Sequence, residues 1–493
     1  MKFYITTPIY YINSEPHVGS AYTTIAADVL FRYHKLKGYD SFFLTGTDEH
    51  GQKIQEIAEK SGMKPKEFAD KMSEKFKEAF KKLNISNTNF IRTTDKLHEK
   101  EVKELLQKLY DKKLIYKGMY ESCYCVGCEQ YKTKSELVNG KCPLHNKEVE
   151  VIKEEAYMFK LSAFQDKLLK LIEKDEYKIL PITRKNEVIS FIKEGLQDIS
   201  ISRKKSKVYW GIELPFDKEH TCYVWLDAFF SYVTGLKEKK VFDKFWPADV
   251  QLMAQDILRV HATIWPAMLL GAGYKLPKSL FIHGYFTVNS QKMSKSLGNA
   301  INPLYLAEKY GVDPLRYYLL RSIPFGQDGD FSEEALVNRN NSELADSLGN
   351  LLNRVVSMCE KYFDSKIPEA KEDKMLSSKM DFKKINSFIE NYELHNALNE
   401  IFHFVDECNK YINEKEPWNL AKNNKNEELQ SVLFNTVEAL RIISQLTYSF
   451  MPESSLKIEE QLGFKHRDKF DLKWGNAKSK GIKKGENLFK KII

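Results

Sequence analysis

The first fifty residues repeat a short apolar run followed by a long amphipathic one, and that repetition leaves few folds open. Phe3 to Thr6 reads as a strand, followed by a loop containing Pro8. Val18 to Leu36 carries Ala21, Ile25, Val29, Tyr33 and Leu36 at helical spacing, with Gly38 where a C-terminal cap belongs. Ser41 to Leu44 reads as the next strand, Gly46-Thr47-Asp48-Glu49-His50-Gly51 as a loop, and a polar helix follows. A β-loop-α-β-loop-α order implies an α/β fold with a doubly wound parallel sheet. Ligands of such sheets bind in loops beyond the C-terminal strand ends, so both loops are candidate site loops.

Strand–helix character resumes at Tyr223 to Leu226 and at Leu280 to His283. Between the halves, residues 117–150 are rich in Cys, Gly and Lys without sustained periodicity and read as an inserted module. Beyond about residue 345 the pattern is helical, through Leu348, Leu351, Leu352 and Val355, then Ile385 to Cys408, then Glu427 to Phe450, which predicts a helix bundle. Apolar residues at 42% and charged residues at 29% exclude a disordered or fibrous chain. The net charge of +8 permits a polyanionic partner without demanding one. No apolar run is long enough for a membrane-spanning helix, and the first residues resemble no signal or transit peptide, so a cytoplasmic protein is expected.

Three motifs carry chemistry. Pro16-His17-Val18-Gly19-Ser20 opens the first helix directly after the first strand. A helix N-terminus offers unpaired N–H groups and partial positive charge to phosphate, His17 adds a donor, and Gly19 allows close approach of a flat base. Lys292-Met293-Ser294-Lys295-Ser296 places two lysines in one loop, where they can neutralise charge on nucleotide phosphates. Cys125-x2-Cys128 and Cys142-x2-His145 form two paired-ligand turns, which predicts a closed, structural Zn²⁺ site, with Cys123 as a competing ligand for His145. The remaining Cys222, Cys359 and Cys408 stand alone.

His17 to Ser20 and Lys292 to Ser296 resemble the two signatures of class I aminoacyl-tRNA synthetases. Thr7 to Tyr11, Gly46 to Gly51, Tyr223 to Ala228 and Trp265-Pro266-Ala267 resemble the methionyl branch of that family. The resemblance runs from residue 3 to about residue 450. It implies activation of methionine with ATP and Mg²⁺, then transfer of methionine to the 3′ end of its tRNA. It also implies a Rossmann-type catalytic domain and a division of the chain. Residues 1–116 would form the first half of the nucleotide-binding fold and 117–220 a connective insertion with the zinc knuckle. Residues 221–290 would form the second half, 291–345 the signature loop and stem-contact region, and 346–493 a helical anticodon-binding domain with a tail.

By the same resemblance, His17, Lys292 and Lys295 would be catalytic, and Gly19, Ser20, Asp256 and Ser296 would join them around ATP. Ser20 replaces a second histidine common in the family, and Ala254-Gln255-Asp256 replaces a common Gly-Lys-Asp, which removes one cation. Ile9, Tyr11, Trp225, Ala228, Tyr232, Ile257 and His261 match the methionine pocket, with Tyr232 and His261 near the sulfur. Asp48 would receive the ammonium, with Arg203 supporting it, and Phe229 stands where a proline is common, which predicts an altered rim. Asn350, Arg354 and Trp418 match anticodon-reading positions, where unstacked bases meet an aromatic face and polar side chains. Asp346 and Ser347 stand at two further positions that are often polar. The Lys-rich tail reads either as a phosphate-contacting strip or as a solvated end, with Leu488 and Phe489 packing back. Some relatives carry a C-terminal dimerising domain and this chain ends without one, so a monomer is expected. The competing readings are a synthetase for another aliphatic amino acid, which the missing editing insertion and the aromatic pocket oppose, and a silent tRNA-binding protein, which the paired lysines oppose.

Overall fold

The computed structural model describes residues 1–126, 130–132, 137–143, 146–288, 291–292, 301–476, 479 and 481–492. Its centre is a six-stranded parallel sheet. We number its strands β1 (Lys2–Tyr11), β2 (Asp40–Asp48), β3 (Asn89–Arg92), β4 (Lys178–Leu180), β5 (Val250–Ala254) and β6 (Ser279–His283). The order across the sheet is β3-β2-β1-β5-β6-β4. Three helices matter most to the site: α1 (Val18–Leu36), α2 (Lys96–Asp111) and α3 (Val224–Glu238).

Successive strand residues point to opposite faces, and both faces are covered, as a parallel sheet requires. Phe3, Ile5, Phe43, Val250, Leu252 and Phe281 pack with α1 and the C-terminal helices on one side. Tyr4, Phe42, Leu44, Met253, Leu280 and Ile282 pack with α3 on the other. Each such side chain contributes about 1.5–3 kcal/mol on burial.

Several elements differ from their expected bounds. The first strand continues past Pro8 to Tyr11, because the β1–β2 register shifts between Thr6 and Ile9 and absorbs the proline. Strand β2 runs on through Gly46, Thr47 and Asp48, so Asp48 ends a strand rather than sitting in mid-loop. Gly46 is needed there, since a Cβ would stand 2.0 Å from the Ile91 carbonyl oxygen of β3. Tyr223 to Leu226 is the start of α3, and the sheet strand of the second half is β5. The inserted module rests on a long antiparallel pair, Ile115–Cys125 against Glu150–Phe159. Strand β4, within 117–220 of the chain, joins the edge of the main sheet. Helix α1 has its expected bounds, and Gly38 takes the positive φ of 83°.

The C-terminal helices Asn350–Phe363, Leu394–Lys415 and Asn426–Thr447 pack on one another. The helical run expected from Ile385 to Cys408 breaks at Tyr392, whose φ is 62°. Arg316, fully buried, ties these helices to the sheet domain. Its Nη2 meets Asp28 of α1 at 2.6 Å, and its Nε donates to the Phe450 carbonyl at 2.8 Å. Leu488 and Phe489 pack back onto the body as expected. Among the described residues no helix is long and apolar enough to cross a membrane.

Candidate functional site

The C-terminal ends of β1, β2 and β5 meet the start of α1, the first turns of α3 and the segment Gln255–Ala262. His17 is the N-cap of α1: its Nδ1 accepts from the Gly19 N–H at 3.1 Å, so its proton sits on Nε2. A Cβ on Gly19 would lie 2.9 Å from the His17 ring, so glycine is what lets the imidazole fold over the helix start. Ser20 is buried, and its hydroxyl accepts from the His17 N–H at 3.0 Å and donates to the His17 carbonyl at 2.7 Å. That hydroxyl closes a capping box.

Tyr11 and Asp48 are register partners at neighbouring strand ends, and Ile9 lies opposite Gly46. Asp48 is buried. Beside it, Glu49 is fully buried and accepts from Arg92 Nε at 2.7 Å, Arg92 Nη2 at 2.9 Å and Thr47 Oγ1 at 2.7 Å. The Trp210 indole donates to the Glu49 carbonyl at 2.6 Å and its ring lies 5.2 Å from His50. Arg203 is buried in a short strand opposite Thr221, with its guanidinium carbon 5.9 Å from the Tyr223 ring.

Helix α3 brings Trp225, Ala228 and Tyr232 to one wall, and the Tyr232 hydroxyl meets His261 Nε2 at 2.9 Å. His261 Nδ1 lies 2.9 Å from the Ile257 carbonyl, which can only accept. The imidazole therefore carries its proton on Nδ1, and Nε2 accepts a hydrogen bond from the Tyr232 hydroxyl. Burial pushes His261 down to about 4, which agrees with a neutral ring. Phe229 is no part of a rim: it is buried behind this wall, edge-on to His261 at 4.9 Å and stacked on Trp265 at 5.8 Å.

Gln255, where a cation was expected to be missing, accepts a hydrogen bond from Arg184 of the helix Ile182–Lys193, which brings a guanidinium to that position. His50 and Asp227 lie within Gly46–Gly51 and Tyr223–Ala228, stretches that carry the family resemblance without a role for either residue, and Arg184 and His98 lie outside every motif. Asp227 did leave a signal, since a lone carboxylate in Leu226-Asp227-Ala228-Phe229-Phe230 needs a buried partner. Asp256 is exposed beside Ile257. Lys292 ends a short strand paired with Thr287, while Lys295 and Ser296 lie outside the described residues.

Cys125 and Cys142 are both buried, and a tight turn from Cys142 is closed by the Asn146 N–H on the Cys142 carbonyl at 2.8 Å. Cys123 lies two residues before Cys125 on one strand, so both share a face. Cys128 and His145 lie outside the described residues. On the C-terminal helices Arg354 stands 5.7 Å from the Trp418 ring and donates to Asn413 Oδ1 at 2.7 Å. Trp418 is 42% exposed, and Asn350 is exposed one turn before Arg354. Asp346 pairs with Lys491 at 2.9 Å and Ser347 donates to Asp406 at 2.8 Å.

A family model described as tRNA synthetases class I (M) matches residues 3–150 and 133–356. The methionine–tRNA ligase of Caldanaerobacter subterraneus is 48% identical over 504 residues, covering 99% of this chain and 79% of the relative. That of Thermotoga maritima is 45% identical over 508 residues, covering 100% and 80%. Mycobacterium tuberculosis methionyl-tRNA synthetase in complex with methionyl-adenylate superposes with a TM-score of 0.94 at 38% identity, covering 99% of each chain. The apo form of the same synthetase gives a TM-score of 0.87 at 35% identity, covering 100% of this chain and 98% of the other.

Proposed function

The chain belongs to the methionyl-tRNA synthetase family of class I, and on that premise we propose how its own residues divide the work. The activity is ATP-dependent activation of L-methionine followed by charging of tRNA(Met). A carboxylate oxygen of methionine attacks the α-phosphorus of ATP and pyrophosphate leaves. A ribose hydroxyl at the 3′ end of tRNA then attacks the adenylate carbonyl, and AMP leaves.

Methionine offers a zwitterionic head and a soft thioether, so a selective pocket needs a charge at one end and shape at the other. Asp48 receives the ammonium with Arg203 in support, Tyr232 and His261 face the sulfur, and Ile9, Tyr11, Trp225, Ala228 and Ile257 form the walls. The observation that carries this reading is the neutral Tyr232–His261 pair, buried on the helix wall that includes Trp225. His17, Gly19 and Asp256 meet ATP, which arrives with Mg²⁺, and Lys292, Lys295 and Ser296 neutralise the phosphates as charge develops. Ser20 contributes through the helix cap, which holds His17 in place. The half-buried Arg184–Gln255 contact supports a substitute cation at the position where lysine is common.

Cys125, Cys128, Cys142 and His145 hold one structural Zn²⁺. The burial of both described sulfur donors and the tight turn at Cys142 suit a closed thiolate-rich site, whose metal would fix the fold of the insertion. Asn350, Arg354 and Trp418 read the anticodon, a role supported by the exposed Trp418 ring beside Arg354. The helices of 346–493 are then the anticodon-binding bundle. We read the enzyme as a cytoplasmic monomer, working where tRNA and ATP are.

The test is exchange of pyrophosphate into ATP, which should depend on methionine. Exchange supported equally by leucine or valine would contradict the reading.

A further inference from the structure

Asp227 has no part in the division of work above, yet it is among the most confined charges in the protein. It sits in the first turn of α3 between apolar neighbours and is 1% exposed. A buried carboxylate is costly unless paired and hydrogen-bonded, and both of its oxygens are. Oδ2 accepts from His50 Nδ1 at 2.7 Å, and Oδ1 accepts from His98 Nε2 at 2.7 Å. His98, in α2, is fully buried and its Nδ1 lies 2.7 Å from Thr234 Oγ1, about two turns further along α3. The positive N-terminal end of α3 adds to the stabilisation of the carboxylate.

The connections matter for what they join. His50 follows the end of β2 by two residues, and Asp48 is that end. Glu49 anchors the same segment backward, to Arg92 at the end of β3, and Trp210 covers it. Asp227 anchors it forward, to the helix that carries Trp225, Ala228 and Tyr232. Burial opposes charge on His50, but Asp227, with Glu99 and Glu49 nearby, holds its pKa above the ordinary imidazole range, which makes the contact charge-assisted.

We propose that Asp227 is a positioning residue for methionine activation: through His50 it holds the Asp48 end of β2 at a fixed distance from Trp225, Ala228 and Tyr232. The ammonium and thioether of one methionine can then engage both ends of the pocket at once. The inference rests on the reading that Asp48 receives the ammonium. A shift of the β2 end would weaken methionine binding while leaving the nucleotide end untouched.

The experiment is steady-state pyrophosphate exchange with the full chain. Asp227→Asn keeps the side-chain volume and removes the charge. Its KM for methionine should rise about tenfold to a hundredfold, the scale of a misplaced contact, with KM for ATP within threefold of wild type. His50→Gln keeps a donor toward Asp227 and should lose less than fivefold, whereas His50→Phe should match Asp227→Asn. Combined, Asp227→Asn and His50→Phe should cost little more than either alone. An unshifted methionine KM in folded Asp227→Asn would overturn the proposal. So would equal changes in the KM for methionine and for ATP, which mark a merely structural role. Should Asp227→Asn fail to fold, the His50→Gln and His50→Phe pair decides, and equal KM values for the two would overturn it. Wild-type exchange that does not depend on methionine would instead overturn the reading of the pocket, and the positioning role with it.

Discussion

At one end of the proposed amino-acid pocket Tyr232 and His261 are joined by a hydrogen bond between neutral groups; at the other, Asp48 and Glu49 adjoin the His50–Asp227 ion pair. Both ends are buried, but burial acts on them differently. Around His261 it meets no strong opposing charge and leaves the ring neutral. Around His50 it meets Asp227 at 2.7 Å, and the carboxylate prevails. The neutral end can only recognise shape and polarizability, because its hydroxyl proton is already given to Nε2 and its ring proton to the Ile257 carbonyl. The charged end can recognise an ammonium but says nothing about the side chain. On the proposed pocket, selectivity for methionine would depend on the distance between the ends, and the anchoring of β2 to α3 would then be more consequential than either contact alone.

Asp48→Asn breaks the charged end directly. With an uncompensated ammonium in a buried site, kcat/KM for methionine in pyrophosphate exchange should fall about a hundredfold to a thousandfold, the scale of a broken buried ion pair. Tyr232→Phe breaks the neutral end. It leaves His261 Nε2 without its donor, which costs about 1–3 kcal/mol, so methionine KM should rise about tenfold to a hundredfold with KM for ATP unchanged. Trp418→Ala lies outside both ends and serves as the contrast: methionine activation should stay within about twofold, while tRNA charging should weaken by about 1–3 kcal/mol, the worth of one stacked base. Equal loss of activation and charging would mean that Trp418 packs rather than reads.

The two ends were unequally legible before the fold was known. Helix α1 announced itself because nineteen residues repeat one period and a glycine follows with the left-handed conformation a cap needs. Tyr232 and His261 had a family position, and the structure brings them into contact. The proton arrangement between them was not legible, since it depends on where the Ile257 carbonyl points. Asp227, His50 and His98 come from three separate stretches of chain, so only the tertiary fold could pair them. Strand β4 is not legible in the sequence because its three residues carry no period, and it exists as a strand only through pairing with β6. The sequence suggests a loop at Asp48 because Gly46 reads as a turn residue, whereas the missing side chain of Gly46 makes room for β3.

The two histidines also move stability in opposite directions with pH. The folded pKa of His261 lies below its unfolded value, so the unfolded chain takes up a proton first, and stability falls as pH drops from about 6.5 toward about 4. The folded pKa of His50 lies above its unfolded value, so its contribution is fully present at low pH and is lost as pH rises past the ordinary imidazole range.

The most direct measurement is therefore the imidazole ¹⁵N spectrum of the full chain across this pH range, with His50 and His261 assigned by substitution. His261 should remain neutral with its proton on Nδ1 down to about pH 5, while His50 should be mostly protonated at about pH 6.5. Both rings titrating together near the ordinary imidazole value would contradict a pocket built from one neutral end and one charged end.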